Sequence, residues 1–172
     1  MDVLRYDICP SGTPVTVTIL GSSTEIFRIR LMSEALLNGI PASKQLPPFY
    51  GDLGRILTQY LEKGVEFSNR ELFKRIPFQV GWLTSFQQRC YDIVLDIPFG
   101  ETRTYGEVAH ALGNPKATRA VGTTLRVNTL PLVIPCHRVV GLHNLGGFMG
   151  SKADMTLDIK RHLLELEGTI SK

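Results

Sequence analysis

Cysteine is scarce in this chain: Cys9, Cys90 and Cys136 are the only three among 172 residues, widely spaced and without a C-x-x-C pair. An odd, sparse set excludes a disulfide scaffold and points to a reducing, intracellular, cytoplasmic setting. Histidine is missing from the N-terminal half, since His110, His137, His143 and His162 all follow position 100. With Cys9 alone, that half lacks the donors of a four-ligand zinc site, and Cys136, His137 and His143 have no second cysteine nearby; no metal is expected. No apolar run approaches the ~18 residues of a spanning helix, so no membrane association by such a helix is expected. The opening M-D-V-L-R-Y-D has no basic stretch leading into an apolar one, which argues against a secretory signal peptide.

What is present fits a folded protein: 43% hydrophobic and 20% charged residues, enough for one domain or two small ones. Net charge is only +3, but it is unevenly placed. Residues 1–80 hold nine Lys/Arg against eight Asp/Glu, whereas residues 102–142 hold Arg103, Lys116, Arg119, Arg126 and Arg138 against Glu107 alone. Such a basic patch is a modest hint of a polyanionic partner, a solvated face being the commoner explanation.

Periodicity divides the chain into an N-terminal α/β part, residues 1–80, and a mostly helical part, residues 81–172. Residues 15–20 and 26–31 alternate as strands, with Gly21-Ser22-Ser23 as the hairpin turn. The proline-rich stretch 41–50 reads as loop. A helix is predicted over 52–63, with Leu53, Ile56, Leu57 and Tyr60 on one face and Gly64 ending it. The period changes over 77–83, the expected boundary. Beyond it, Phe86, Cys90, Val94 and Ile97 recur at helical spacing behind Thr84-Ser85. Thr104-Tyr105-Gly106-Glu107 is a capping-box pattern opening a helix that carries Val108, Ala111 and Leu112 inward and stops at Gly113-Asn114-Pro115. A second helix over 116–127 follows, making a helix-turn-helix candidate, although many such hairpins bind nothing. Its expected inward stripe is Ala117, Ala120, Val121, Thr124 and Leu125. Arg119, Gly122, Thr123 and Arg126 fall on another face, where small residues permit close approach to phosphates.

The chemistry concentrates at Pro135-Cys136-His137-Arg138-Val139. Residues 132–134 read as a short apolar strand that Pro135 cannot continue. A thiol reacts as its thiolate, which neighbouring bases and cations favour. In an extended segment His137 points away from its neighbour and reaches the sulfur only through water. Cys9 and Cys90, among apolar residues, read as core.

These residues resemble the alkylguanine-DNA alkyltransferases, the methylated-DNA–protein-cysteine methyltransferases. Pro135-Cys136-His137-Arg138-Val139 matches their active-site signature. The resemblance continues through Ile97-Pro98-Phe99-Gly100-Glu101-Thr102, Tyr105-Gly106-Glu107-Val108-Ala109, Arg119-Ala120-Val121-Gly122, Asn128, Pro131 and Leu163-Leu164-Glu165-Leu166-Glu167-Gly168. It implies an RNase-H-like α/β N-terminal domain and a winged-helix-like C-terminal domain. The activity it implies is single-turnover transfer of an alkyl group from the exocyclic oxygen of guanine in double-stranded DNA to Cys136, by a monomer without cofactor. By that resemblance His137 is the base, acting through water, and Glu167 polarises it. Asn128 holds the turn after the recognition helix. Tyr105 contacts the extruded nucleotide and helps protonate the leaving guanine. Arg119 enters the base stack from the minor groove, with Gly106, Gly122, Thr123 and Arg126 on the DNA face. The implied pocket is tight and apolar, lined by Pro131, Val139, Phe148 and Met149. Two positions depart from the pattern: Thr129 stands where proline commonly follows the asparagine, and the loop over 147–156 is longer than usual. The alternatives are a damage-binding relative that transfers nothing, against which Cys136 speaks, and a cysteine hydrolase, which leaves the helix-turn-helix arginines unexplained.

Overall fold

The computed structural model describes residues 4–11, 15–32, 43, 45–150 and 154–170. It opens on an antiparallel sheet in the order β1 (Leu4–Ile8), β2 (Thr16–Gly21), β3 (Ile26–Met32). β1 has no apolar alternation to announce it; Arg5 and Asp7 form an ion pair at 2.6 Å, and Thr18 Oγ1 of β2 donates to Asp7 at 2.7 Å. β2 is buried at every position, its threonines included, so the alternation in its sequence does not mark a wet face.

Helix α1 runs Pro48–Lys63, one turn earlier than expected. Proline is tolerated in a first turn, where its missing N–H has no intrahelical partner anyway. Tyr50, Leu53, Leu57, Tyr60 and Leu61 are buried, while Ile56 is only half-buried. The Gly64 N–H returns to Tyr60 O at 2.8 Å in the left-handed cap that glycine permits. Gly54 is bare where the Tyr6 ring of β1 lies, and a Cβ there would collide with it. Thus α1 packs closely against the sheet. The remainder of the expected loop, residues 41–42 and 44, lies outside the described residues. A short helix absent from the sequence reading, α2 (Asn69–Arg75), follows behind its Ser68 cap.

Residues 77–79, within the expected boundary, are tied to the sheet: Phe78 bridges to Ile26, Ile26 N–H donates to Pro77 O and Gln79 N–H to Ile26 O, both at 2.8 Å. Helix α3 (Ser85–Leu95) then starts on a Thr84–Gln87 capping box. Next come β4 (Arg103–Thr104) and α4 (Tyr105–Ala111), the latter opened by the expected Thr104–Glu107 capping box. A 3₁₀ turn (Pro115–Ala117) leads into α5 (Thr118–Arg126). Two alanines correct the expected stripes: Ala111 and Ala120 are exposed, and Ala109 is buried with Val108 and Leu112. Their one-methyl side chains say little about which way they face.

Residues 131–134 are not a strand. They form a turn closed by Ile134 N–H on Leu130 O, with Leu132 at φ 70°. Cys136–Arg138 is a 3₁₀ turn rather than an extended segment, followed by β5 (Val139–Val140), which pairs parallel to β4. Helix α6 (Asp154–Leu166) closes the described chain. One hydrophobic core joins the sheet to these helices, including Ile19, Leu57, Val94, Val121, Val139 and Leu163. Cys90 belongs to it; Cys9 is exposed, correcting its reading as core. No helix among the described residues is long and apolar enough to cross a membrane.

Candidate active site

A cavity of about 800 Å³ opens between α4, α5 and the loop after β5. Tyr105 supplies one wall, the α5 residues Arg119, Gly122, Thr123 and Arg126 another, and Phe148 and Met149 a third, with Cys136 also lining it. The space is wider and more cationic at its rim than a tight apolar pocket. Arg119, Thr123 and Arg126 are exposed on the α5 face. Pro131 and Val139, expected as lining, are buried and do not line the cavity, and Gly106 is exposed and does not line it either. Residues 151–153 of the long loop lie outside the described residues.

The sulfur is held from behind. Asn128, two residues past α5, donates through Nδ2 to Cys136 Sγ at 3.2 Å and to Ile134 O at 3.1 Å, while its Oδ1 accepts from Leu130 N–H at 2.9 Å. Its side chain therefore pins both ends of the 130–136 turn. From α2, Asn69 Nδ2 donates to Leu132 O at 2.6 Å and Val133 O at 2.8 Å, which fixes the turn from its other side. Burial pushes the Cys136 thiol up, while the Asn128 amide and the Lys160 charge favour its anion.

Glu167, one residue beyond α6, organises the rest. Its Oε1 accepts from His137 Nε2 at 2.8 Å and its Oε2 from Arg138 Nε at 2.8 Å, all three side chains being buried. Arg138 also donates to Glu167 Oε1, Asn69 Oδ1 and Ile97 O. A buried guanidinium held by four hydrogen bonds is a structural cation, not part of a surface patch. Burial alone would raise the Glu167 carboxyl, but the hydrogen bonds and charges of His137 and Arg138 hold it down at about 2. Burial pushes His137 down, against the pull of Glu167, and Arg138 and Lys160 add to the downward push. The imidazole is thus neutral near neutral pH. A carboxylate only accepts, so the proton sits on Nε2, leaving Nδ1 bare; Nδ1 is buried with no hydrogen-bond partner among the described residues.

A further group escaped the sequence reading. Lys160 on α6 is fully buried and donates to Val139 O at 2.7 Å and Gly147 O at 3.2 Å, tying the cavity loop to the floor. Burial lowers its ammonium to about 8, although the Cys136 sulfur draws it back up. The Tyr105 hydroxyl donates to the same Gly147 O at 3.4 Å. Its phenol is raised, chiefly by burial and then by the nearby sulfur, so it stays an O–H donor. The ring rests on Gly146 (φ 71°), where a Cβ would come within 2.7 Å of it.

Residues 85–169 match the family described as 6-O-methylguanine DNA methyltransferase, DNA binding domain. The chain is 47% identical over 87 residues to the methylated-DNA–protein-cysteine methyltransferase of Methanosarcina acetivorans, covering 50% of this chain and 53% of that one. It is 41% identical over 103 residues to the protein of that name from Archaeoglobus fulgidus, covering 59% and 68%. In the first of these the match spans about half the length of the curated relative. Among solved structures, a variant of the Mycobacterium tuberculosis O6-methylguanine methyltransferase superposes with a TM-score of 0.71 at 30% identity, covering 99% of this chain and 96% of that one. A Mycobacterium tuberculosis protein crystallised in complex with DNA gives 0.69 at 30% identity, covering 97% and 93%.

Proposed function

We propose, from the premise that the chain belongs to the 6-O-methylguanine DNA methyltransferase family, that it repairs DNA by moving the alkyl group of an alkylated guanine onto its own Cys136. The observation that carries this reading is the position of Cys136: its sulfur lines a cavity rimmed by the α5 arginines, and the His137–Glu167 pair lies behind it.

A base inside a duplex does not present its exocyclic oxygen to a buried sulfur, so the nucleotide is extruded into the cavity from the minor groove. Arg119 fills the gap left in the stack, offsetting part of an unstacking cost of a few kcal/mol. Arg126, Thr123 and the N-terminal turn of α4, with Gly106, face the phosphates. The thiol proton passes, through water, to Nδ1 of His137, whose Nε2–H is fixed on Glu167. The thiolate attacks the alkyl carbon, an S–C bond forms, and the C–O bond breaks with its electron pair on the guanine oxygen. Tyr105 supplies an O–H toward that leaving base. The product is a thioether that ordinary reductants do not reverse, so each molecule acts once, and the chemistry needs no cofactor.

We read residues 1–80 as an RNase-H-like domain and residues 81–172 as a winged-helix-like one, the chain acting as an intracellular monomer. The sheet with α1 against it supports the first, and α4, α5 and the β4–β5 pair support the second. A hydrolase would need free donors for an oxyanion beside the sulfur. Cys136 N–H is instead spent on Ile134 O at 2.7 Å, and Asn128 is spent on Ile134 O and the sulfur.

Intact mass after incubation with a duplex containing methylated guanine tests the proposal. One added CH₂ unit on Cys136, with no second turnover and none on Cys136→Ser, is the expected result. An unchanged mass would leave a damage binder, and turnover without modification would leave a hydrolase.

A further inference from the structure

We propose that Tyr60 is a positioning residue for this transfer: its hydroxyl, brought from α1, fixes the Glu167 carboxylate and thereby sets the basicity of His137. The proposal rests on the reading of Cys136 as alkyl acceptor and His137 as its base.

Tyr60 is 1% exposed and donates to Glu167 Oε1 at 2.6 Å, the same oxygen that accepts from His137 Nε2. Its hydroxyl also lies 3.4 Å from that Nε2. A buried tyrosine hydroxyl needs an acceptor, and many find a backbone carbonyl. This one takes the oxygen that orients the imidazole, 107 residues away in sequence. Burial and the Glu167 charge keep the phenol protonated, so it acts as a donor throughout. Oε1 therefore carries three donors, from Tyr60, His137 and Arg138 Nη2.

Donors on one oxygen compete for its charge. Removing the phenol O–H leaves more of that charge to the Nε2–H of His137, which stabilises the imidazolium and makes Nδ1 a stronger base. Every other group facing the pair stays: the Arg138 and Lys160 cations that oppose protonation and the Glu167 carboxylate that favours it. The Tyr60 ring has a separate role in packing, edge-on to Phe67 at 5.5 Å and Phe99 at 6.2 Å. Tyr60→Phe keeps the ring and deletes only the hydroxyl.

The test is the pH profile of single-turnover methyl transfer by the full chain, together with a ¹⁵N titration of the His137 ring that requires no transfer. In Tyr60→Phe the acid limb of the profile and the ring titration are expected to rise together by about half a pH unit or more. A fluorinated tyrosine at position 60, a stronger donor of nearly native size, should move both downward and serves if Tyr60→Phe does not fold. Phe67→Leu, which disturbs the same packing without touching the hydroxyl, should move neither. Unmoved titrations in the Tyr60 variants, or an equal shift in Phe67→Leu, would overturn the proposal and leave Tyr60 a packing residue. If the parent transfers no methyl group, the functional reading fails, and the ring titration still decides the role of Tyr60.

Discussion

Asn128 donates to the sulfur of Cys136 at 3.2 Å, so a residue two positions past α5 holds the proposed nucleophile directly. Asn128→Asp keeps the acceptor for Leu130 N–H but turns both donors into a carboxylate oxygen facing a sulfur and a carbonyl. A hydrogen bond to a charged group contributes about 1.5–3 kcal/mol, so transfer should slow by about 10- to 100-fold. Single-turnover rates measure this; a parental rate would mean that the amide shapes the turn without assisting the thiolate.

The two α5 arginines should separate in their effects. Arg126→Ala is expected to weaken duplex binding for all sequences and to lower the slope of log affinity against log salt by about one phosphate contact. Arg119→Ala should slow transfer from duplex more than transfer from the free modified base, which has nothing to extrude. Equal slowing on both substrates would assign Arg119 to the cavity wall that it also lines.

Acid should unfold the protein through Glu167. Its folded carboxyl titrates at about 2 against an ordinary value of 4.5, so it stabilises the fold fully above the ordinary value, and this contribution is lost as pH falls between the two. The shift corresponds to about 3 kcal/mol. His137, lowered in the fold, erodes stability from its ordinary range downward and so acts with the same sign. Unfolding free energies across this window should fall in the parent; in Glu167→Gln the lower step should vanish from an already reduced value.

Alkylation should itself be felt. A tight pocket would be strained by the product, but Cys136 lines an open cavity with room for a methyl group. What is lost is the Asn128 bond, because a thioether is a weak acceptor. A loss of about 1 kcal/mol lowers melting by about 2–4 °C in a chain of this size. Melting curves of unreacted and methylated protein decide it, and coincident curves would show the bond to be energetically idle.

Much of this was legible in local pattern. The Thr104–Glu107 capping box, the Thr84 cap, β2, β3 and the α4–α5 pair follow from residues a few positions apart, where capping and periodicity operate. Cys136 and His137 stood out from the residues themselves, whereas their roles and the partner Glu167 came from family resemblance. What stayed hidden depends on partners far along the chain. Arg138 reads as one more cation of a basic patch until a carboxylate 29 residues later buries it. Tyr60 reads as one member of an apolar stripe, and Asn69 and Lys160 draw no reading at all, because nothing local records the acceptors they meet. β1 was missed because its Arg5–Asp7 pair imitates a surface segment.

The Tyr60–Glu167 hydrogen bond spans 107 residues, and this has a consequence for the newly made protein. A nascent chain that has reached Cys136 but not Glu167 carries a thiol beside an unanchored imidazole and an Arg138 with no carboxylate. On the proposed reaction each molecule is consumed, so an early reaction with a stray small electrophile would waste it before it met damaged DNA. Because the imidazole is anchored only when α1 meets the residue after α6, reactivity would follow the folding of both parts together.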